Sequence, residues 1–181
     1  MKQWTALPAA KRVRGFTMVE LVMVIIVLAL LGGMAVPRFF ERKGFDTAAY
    51  SEQLMSMLRY GQKIAIAQGR NVYVRVNSGG IVLAYDSGFS NYLVAPGNSN
   101  SASASTVALC GSNVSRACEG VPTGVTLTGS SSFYFDPAGT PFLVSNIPPT
   151  LNSTFTTLVL ALTGAGSTRN VTVAAVTGYV Y

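Results

Sequence analysis

The chain has 181 residues, 49% hydrophobic and only 11% charged, with a net charge of +6 and no histidine. That length allows one domain with a modest core, and the missing histidine excludes Ser-His-Asp and Cys-His chemistry. Low charge, with Ser, Thr, Asn and Gly in plenty, suits an extracytoplasmic β-rich domain better than a cytosolic enzyme.

Residues 1–15 form a leader that turns from polar to basic. Lys2, Lys11, Arg12 and Arg14 all precede Phe16 with no acid among them. Such a flank before an apolar run holds the N-terminus in the cytoplasm. The basic excess is therefore weak evidence for nucleic acid.

Residues 16–40 are apolar apart from Thr17, Glu20 and Arg38, and are expected to form a membrane or filament-core helix. Leu21–Val36 alone makes about 24 Å of helix, short of a bilayer core of about 30 Å. Adding Phe16–Glu20 reaches the span and places Glu20 near one membrane face, where a carboxylate costs less. Gly32, Gly33 and Pro37 weaken the far end. Pro37 brings no N–H to the Gly33 carbonyl, which predicts a kink or an easily melted turn, with helix continuing beyond.

Residues 41–69 read as an amphipathic second half of the same helix. Leu54, Met57, Leu58, Gly61, Ile64 and Ala65 recur at i, i+3, i+4 spacing, with Glu52, Arg59, Gln62 and Lys63 on other faces. Gly69 is the expected residue just past the helix end.

Residues 70–181 are expected to form a β-rich globular domain. Asn71–Val76 and Ile81–Tyr85 flank N-S-G-G, a hairpin signal. Pro96–Thr106 is a low-complexity loop. Further strands are expected at Thr106–Leu109, Gly124–Thr128, Ser132–Asp136 and Pro141–Val144. A last hairpin joins Thr156–Thr163 to Arg169–Val176 through G-A-G-S-T. The fold class is α+β: a long kinked N-terminal helix packed on an antiparallel sheet domain.

Cys110 and Cys118 lie in a Gly/Ser/Asn-rich segment beyond the apolar run. An even count there favours a disulfide, with free or metal-binding thiols as the alternative. Without histidine or a C-x-x-C spacing, a zinc or thioredoxin-type site is not expected. Asp86, Glu119 and Asp136 are scattered in turn-rich contexts and motivate no acid–base pair. There is no phosphate-binding glycine loop. No catalytic residue, metal or cofactor is expected, and the chain is not read as an enzyme. Three Asn-x-Ser/Thr matches, at Asn113, Asn152 and Asn170, arise easily by chance in so Ser/Thr-rich a chain.

The leader, the Gly15–Phe16 junction, Glu20 and the run behind it make the pattern G-F-T-M-V-E-L-V. It resembles the type IV pilin and type II secretion pseudopilin family. The resemblance implies cleavage between Gly15 and Phe16 by a prepilin peptidase, and N-methylation of Phe16. It also implies that Glu20 pairs with the Phe16 amine of a neighbouring pilin or pseudopilin. In an apolar bundle a carboxylate must be paired or protonated, so Glu20 would act as a register device, as a single buried polar residue does in coiled coils. The implied location is the inner membrane first, single-pass with the N-terminus cytoplasmic, then a periplasmic or extracellular filament. An ordinary signal peptide cleaved after Ala35 and an uncleaved membrane anchor stand as rival readings.

Further along, F-Y-F-D-P-A-G-T-P (Phe133–Pro141) and V-T-V-A-A-V-T-G-Y-V (Val171–Val180) resemble a turn and a closing strand of the pseudopilin H and FimT-type minor branch. Locally, Asp136-Pro137 starts a turn and Gly139 takes positive φ. Pro37–Phe40, the cysteine spacing and L-V-M-V-I-I-V-L are similar to minor pilins of the mannose-sensitive haemagglutinin pilus. The expected role is a minor structural subunit. The alternative is a ligand-binding tip subunit, for surface adhesion or DNA uptake. Only Arg116 and Arg169 are placed to meet phosphates, so nucleic acid is not the expected partner. Tyr85, Phe89, Tyr92, Tyr179 and Tyr181 could form a contact patch, or simply pack in the core.

Overall fold

The computed structural model describes residues 16–40, 42–146 and 152–181, with the side chains of residues 32–44 also outside the description. The leader expectations at residues 1–15, Gly15 included, fall outside the described residues. The chain divides into two compact units between Phe39 and Phe40.

The first unit holds all but the last residue of α1 (Met18–Phe40). Thr17 starts it as an N-cap. Its Oγ1 accepts the Glu20 N–H at 3.2 Å and its carbonyl accepts the Leu21 N–H at 3.1 Å. Thr17-x-x-Glu20 is the sequence of a capping box, with Glu20 at the third helical position, where an acid also complements the helix dipole. The helix runs on through Gly32, Gly33 and Pro37. Among the described residues no helix is long and apolar enough to cross a membrane.

The second unit begins with α2 (Arg42–Gln68), which ends as the sequence predicts. Gly69 has φ +61°, the Arg70 N–H donates to Ala65 O, and the Gly69 N–H donates to Ile66 O. That pair of bonds is a Schellman motif, and its left-handed residue favours glycine.

Two antiparallel sheets follow. The first has the order β3 (Cys118–Gly120), β2 (Gly80–Ala84), β1 (Val72–Asn77), β5 (Ser131–Phe135), β6 (Pro141–Leu143). The second has β4 (Thr126–Thr128), β7 (Leu158–Gly164) and β8 (Ser167–Val173). The α+β class holds, but the strands form two sheets rather than one.

Both hairpins read from the sequence are present. β1 and β2 pair from Tyr73↔Ala84 to Asn77↔Gly80. β7 and β8 close at Gly164↔Ser167, across Ala165 and Gly166, both at positive φ. Two positive φ values make the turn whose twist suits a hairpin.

One helix face and the inner faces of both sheets build the core. Tyr50, Leu54, Leu58 and Ala65 of α2 meet Val72, Val74, Leu83, Phe133, Leu160, Leu162 and Val171. Gly61 lets the helix approach: a Cβ there would stand 3.3 Å from Leu83. Burial alternates along β1, as one covered face requires.

Two expectations are corrected. Thr106–Leu109 is helical, inside α3 (Ala104–Cys110). The Ser103 hydroxyl accepts the Thr106 N–H at 3.2 Å, and this cap outweighs the strand preference of Thr106 and Val107. Val171–Val180 is not one closing strand. β8 stops at Val173, and the chain turns through Gly178, at φ +64°. It then returns antiparallel, so that Val180 pairs with Val173. The T-G pair is the turn, not the strand's end.

Candidate functional site

Three places gather the residues of interest. The first is the start of α1. From Phe16 through Leu31 every side chain is exposed, yet only Thr17 and Glu20 are polar. A helix that is apolar all round belongs in an apolar surround, not in water. Phe16 lies just ahead of the cap and Glu20 sits one turn in. Both therefore stand at the helix end where the free N–H groups and the positive dipole end gather.

The second place is the segment between β2 and β4. Cys110 and Cys118 form a disulfide, with their Cα atoms 6.2 Å apart, joining the end of α3 to the start of β3. Both cysteines are buried. Arg116 donates through Nη1 to Cys110 O at 2.5 Å and lies over the Tyr92 ring at 4.4 Å.

Next to the disulfide is an acid that the sequence shows only as one of three scattered carboxylates. Glu119 is 5% exposed. Its carboxylate accepts the Ser101 N–H at 2.8 Å, the Ser101 hydroxyl at 2.5 Å and the Thr106 hydroxyl at 3.0 Å. The Thr106 oxygen in turn accepts the Gly120 N–H. A buried carboxylate needs such donors. The S-A-S-A-S-T run that read as low complexity supplies them, and only folding brings it beside Glu119.

The other acids serve turns. Asp86 accepts from the Asn91 N–H, the Ser90 hydroxyl and the Ser90 N–H. These bonds, the Asn91 one foremost, hold its carboxyl below the usual range. Asp136 accepts from the Ala138 and Thr140 N–H groups, with Gly139 at φ +84°, which is the turn expected there. Asp86, Glu119 and Asp136 are held in three separate hydrogen-bond sets. Among the described residues no group of His, Cys, Asp and Glu could hold a metal ion.

The third place is the C-terminal hairpin. Thr172 and Tyr181 exchange N–H···O bonds at 2.7 and 3.0 Å, and the Ala174 N–H donates to Tyr179 O at 2.9 Å. From the α2 side, Arg59 donates through Nε and Nη2 to Val180 O at 3.1 and 2.8 Å. Gln62 donates to Thr177 O and Gly139 O, each at 2.9 Å. Val180 is buried, while Tyr179 and Tyr181 are 61% and 57% exposed and stack at 5.8 Å with 22° between their planes.

The aromatic residues considered from sequence thus divide. Phe89 is buried under Arg75, 4.4 Å away. Tyr85 lies under Arg70 at 3.8 Å, and Tyr92 under Arg116. Only Tyr179 and Tyr181 stack on each other in the open. Arg116 and Arg169 are not brought together: Arg116 lies beside the first sheet, whereas Arg169 is in β8 of the second.

Comparison with known proteins adds the following. The family model described as type II transport protein GspH matches residues 51–177. The prokaryotic N-terminal methylation motif matches residues 10–36. No curated protein matches the chain. The chain is similar to two crystal structures of the type IV minor pilin FimU from Pseudomonas aeruginosa strain PAO1. In space group P21 the match has 18% identity, covers 79% of this chain and 90% of that one, and has a TM-score of 0.46. In P65 the values are 16%, 74%, 90% and 0.45.

Proposed function

We propose a filament role in detail for this chain from one premise: it belongs to the family of the type II transport protein GspH and carries the N-terminal methylation motif. As a member it is a minor pilin or pseudopilin, a structural subunit of a type IV pilus or a type II secretion pseudopilus.

The proposal concerns how it is processed and assembled. Prepilin peptidase cuts between Gly15 and Phe16, and the new Phe16 amine is methylated. The protein waits in the inner membrane, single-pass, and then joins other pilins or pseudopilins by bundling α1 with theirs. Glu20 pairs with the Phe16 amine of a neighbour and sets the axial register. Gly32, Gly33 and Pro37 give the helix the freedom to adjust as it docks.

The observation that carries this reading is the start of α1. Side chains exposed on every side from Phe16 to Leu31 are apolar except at Thr17 and Glu20. Lipid first, and neighbouring helices later, supply the surround that such a helix needs. There an unpaired carboxylate is expensive, and a neighbour's amine relieves that cost. The finer assignment, to a pilus of the mannose-sensitive haemagglutinin kind, rests on Pro37–Phe40, the cysteine pair and the L-V-M-V-I-I-V-L start of the apolar run.

The test is the intact mass of the native protein taken from membranes. A chain beginning at Phe16, one methyl group heavier and two hydrogens lighter for the disulfide, is the expected result. A chain beginning at Val36 would make α1 largely a discarded signal, and an uncut chain would leave a simple anchor; either overturns the proposal.

DNA uptake as a second role gains little support. Arg59, Arg70, Arg75 and Arg116 are engaged with carbonyls or aromatic rings of the domain itself. Phosphate tracking needs several free cations along one path.

A further inference from the structure

A cavity of about 530 Å³ opens beside the turn between β5 and β6, within the range of roughly 300–1,000 Å³ that holds small ligands. Asp136 and Thr140 of the turn line it, with Phe142 of β6, Asn152, Phe155 and, from the C-terminal turn, Val176. Phe142 and Phe155 are buried, whereas Val176 is 79% exposed. Rings therefore back the cavity and an aliphatic side chain stands at its mouth.

The turn uses only half of the Asp136 carboxylate. Oδ1 accepts the Ala138 N–H at 3.0 Å and the Thr140 N–H at 2.7 Å. Among the described residues Oδ2 accepts no hydrogen bond and the carboxylate has no ion-pair partner. No Arg or Lys lines the cavity, so its only charge is negative. The acid is also held in place. Its own N–H donates to Thr140 O at 3.0 Å, the Gly139 N–H donates to Asp136 O at 2.9 Å, and Gln62 of α2 donates to Gly139 O at 2.9 Å. A carboxylate fixed in this way needs little ordering when a ligand arrives.

The lining selects the ligand's chemistry. An anion would meet Asp136 as a like charge. An apolar molecule would take water from that carboxylate and give it no partner. A divalent metal ion calls for more oxygen ligands than one carboxylate, one hydroxyl and one amide supply. An alkylammonium group fits on each count. It carries three N–H donors and one positive charge, to set against the carboxylate, the Thr140 hydroxyl and the Asn152 amide oxygen. Its bond to Asp136 is charge-assisted, and its methylene stem suits the ring and aliphatic wall while the chain leaves by the mouth. We propose that this cavity binds a primary alkylammonium group, from a lysine side chain or a free alkylamine, with its nitrogen on Asp136 Oδ2 and its stem along Phe142, Phe155 and Val176. The cavity lies within the globular unit and is tested without filaments, so its failure would leave the filament reading standing.

The experiment is an NMR titration of the full-length protein in neutral detergent, read at its backbone amide signals. The probes are N-acetyl-lysine amide and cadaverine, with pentanol and sodium acetate as controls. The expected result is a saturable shift with the amines at Ala138, Thr140 and Val176, and none with either control. D136N leaves Oδ1 to accept the two turn N–H groups and removes the charge. It should weaken binding about tenfold or more, as loss of a hydrogen bond to a charged group does. T140V should weaken it less, and D86N, in another turn, should leave it unchanged. A thermal melt of each variant checks that the fold is kept. Tighter binding of the lysine derivative would assign the site to a protein side chain, and tighter binding of cadaverine to a free amine; both uphold it. No saturable shift with either amine, equal shifts with pentanol, shifts around Asp86 as large as those around Asp136, or undiminished binding by D136N would each overturn the proposal.

Discussion

At the scale of single residues, two buried groups set the behaviour of the domain. Glu119 is the polar hub of the first sheet's edge, and its three donors come from Ser101 and Thr106. Truncating it would leave the buried Thr106 hydroxyl without its carboxylate acceptor, a cost of about 1–3 kcal/mol, while exposed Ser101 can turn to water. E119A should therefore lower the free energy of unfolding, read from denaturant titration, by that amount. An alanine at exposed Glu52, measured beside it, should change little. Tyr50 lies against the same hub, its hydroxyl donating to Glu119 O at 3.3 Å. Burial first, and the Glu119 charge second, push its pKa above the ordinary tyrosine value of about 10. The folded state thus holds this proton more tightly than the unfolded chain does. The stability it contributes is complete below about pH 10 and is lost as pH rises beyond it. Denaturation midpoints should stay level up to pH 9 and fall in more alkaline buffer. Y50F should flatten that fall, and an unchanged alkaline slope in Y50F would refute the assignment.

At the scale of elements, the segment from Ser99 to Cys118 shows what a sequence discloses and what it hides. The disulfide was legible, because two cysteines beyond an apolar run, with no histidine to share a metal, leave few other uses. Helix α3 was not. A-S-T-V-A-L-C is too short and too β-branched for a helical period to show, and its cap depends on the Ser103 hydroxyl, one of several similar serines. The Cys110–Cys118 bond holds that short helix to β3. A closed loop of this size is worth about 2–3 kcal/mol on the chain-entropy account. Reduction, or C110S/C118S, should lower stability by that amount. Hydrogen exchange should quicken first in residues 101–118, while the β7–β8 hairpin keeps its protection. Equal loosening of both regions would mean that α3 and its loop are not a separable element.

At the scale of the whole molecule, the two halves were legible for different reasons. The N-terminal half announces itself through composition: a basic leader, a run of aliphatics and one acid at a fixed offset need no three-dimensional context. The globular half gave up its strands wherever alternation was clean, as in β1 and β7, and its turns wherever glycine or aspartate forced them. The division into two sheets stayed hidden, because β4 is only three residues long and pairs with β7, about 35 positions on, and no local pattern encodes so distant a partner. The exposed tyrosine pair was hidden for a related reason. Y-V-Y alternates like any strand end, and only the return against β8 decides which face meets solvent. The halves also differ in what holds them. Among the described residues every buried apolar side chain lies at Tyr50 or beyond, so the globular unit has a core of its own. A chain lacking residues 1–39 should keep the thermal midpoint of the full protein in detergent to within about 2 °C, less than a 1 kcal/mol loss would shift a domain of this size. It should also lose the need for detergent, because the apolar surface from Phe16 to Leu31 goes with the deleted segment. A drop of 5 °C or more would show that α1 takes part in the fold of the domain as well as in its assembly, and would assign to one helix both of the tasks that the exposure pattern keeps apart.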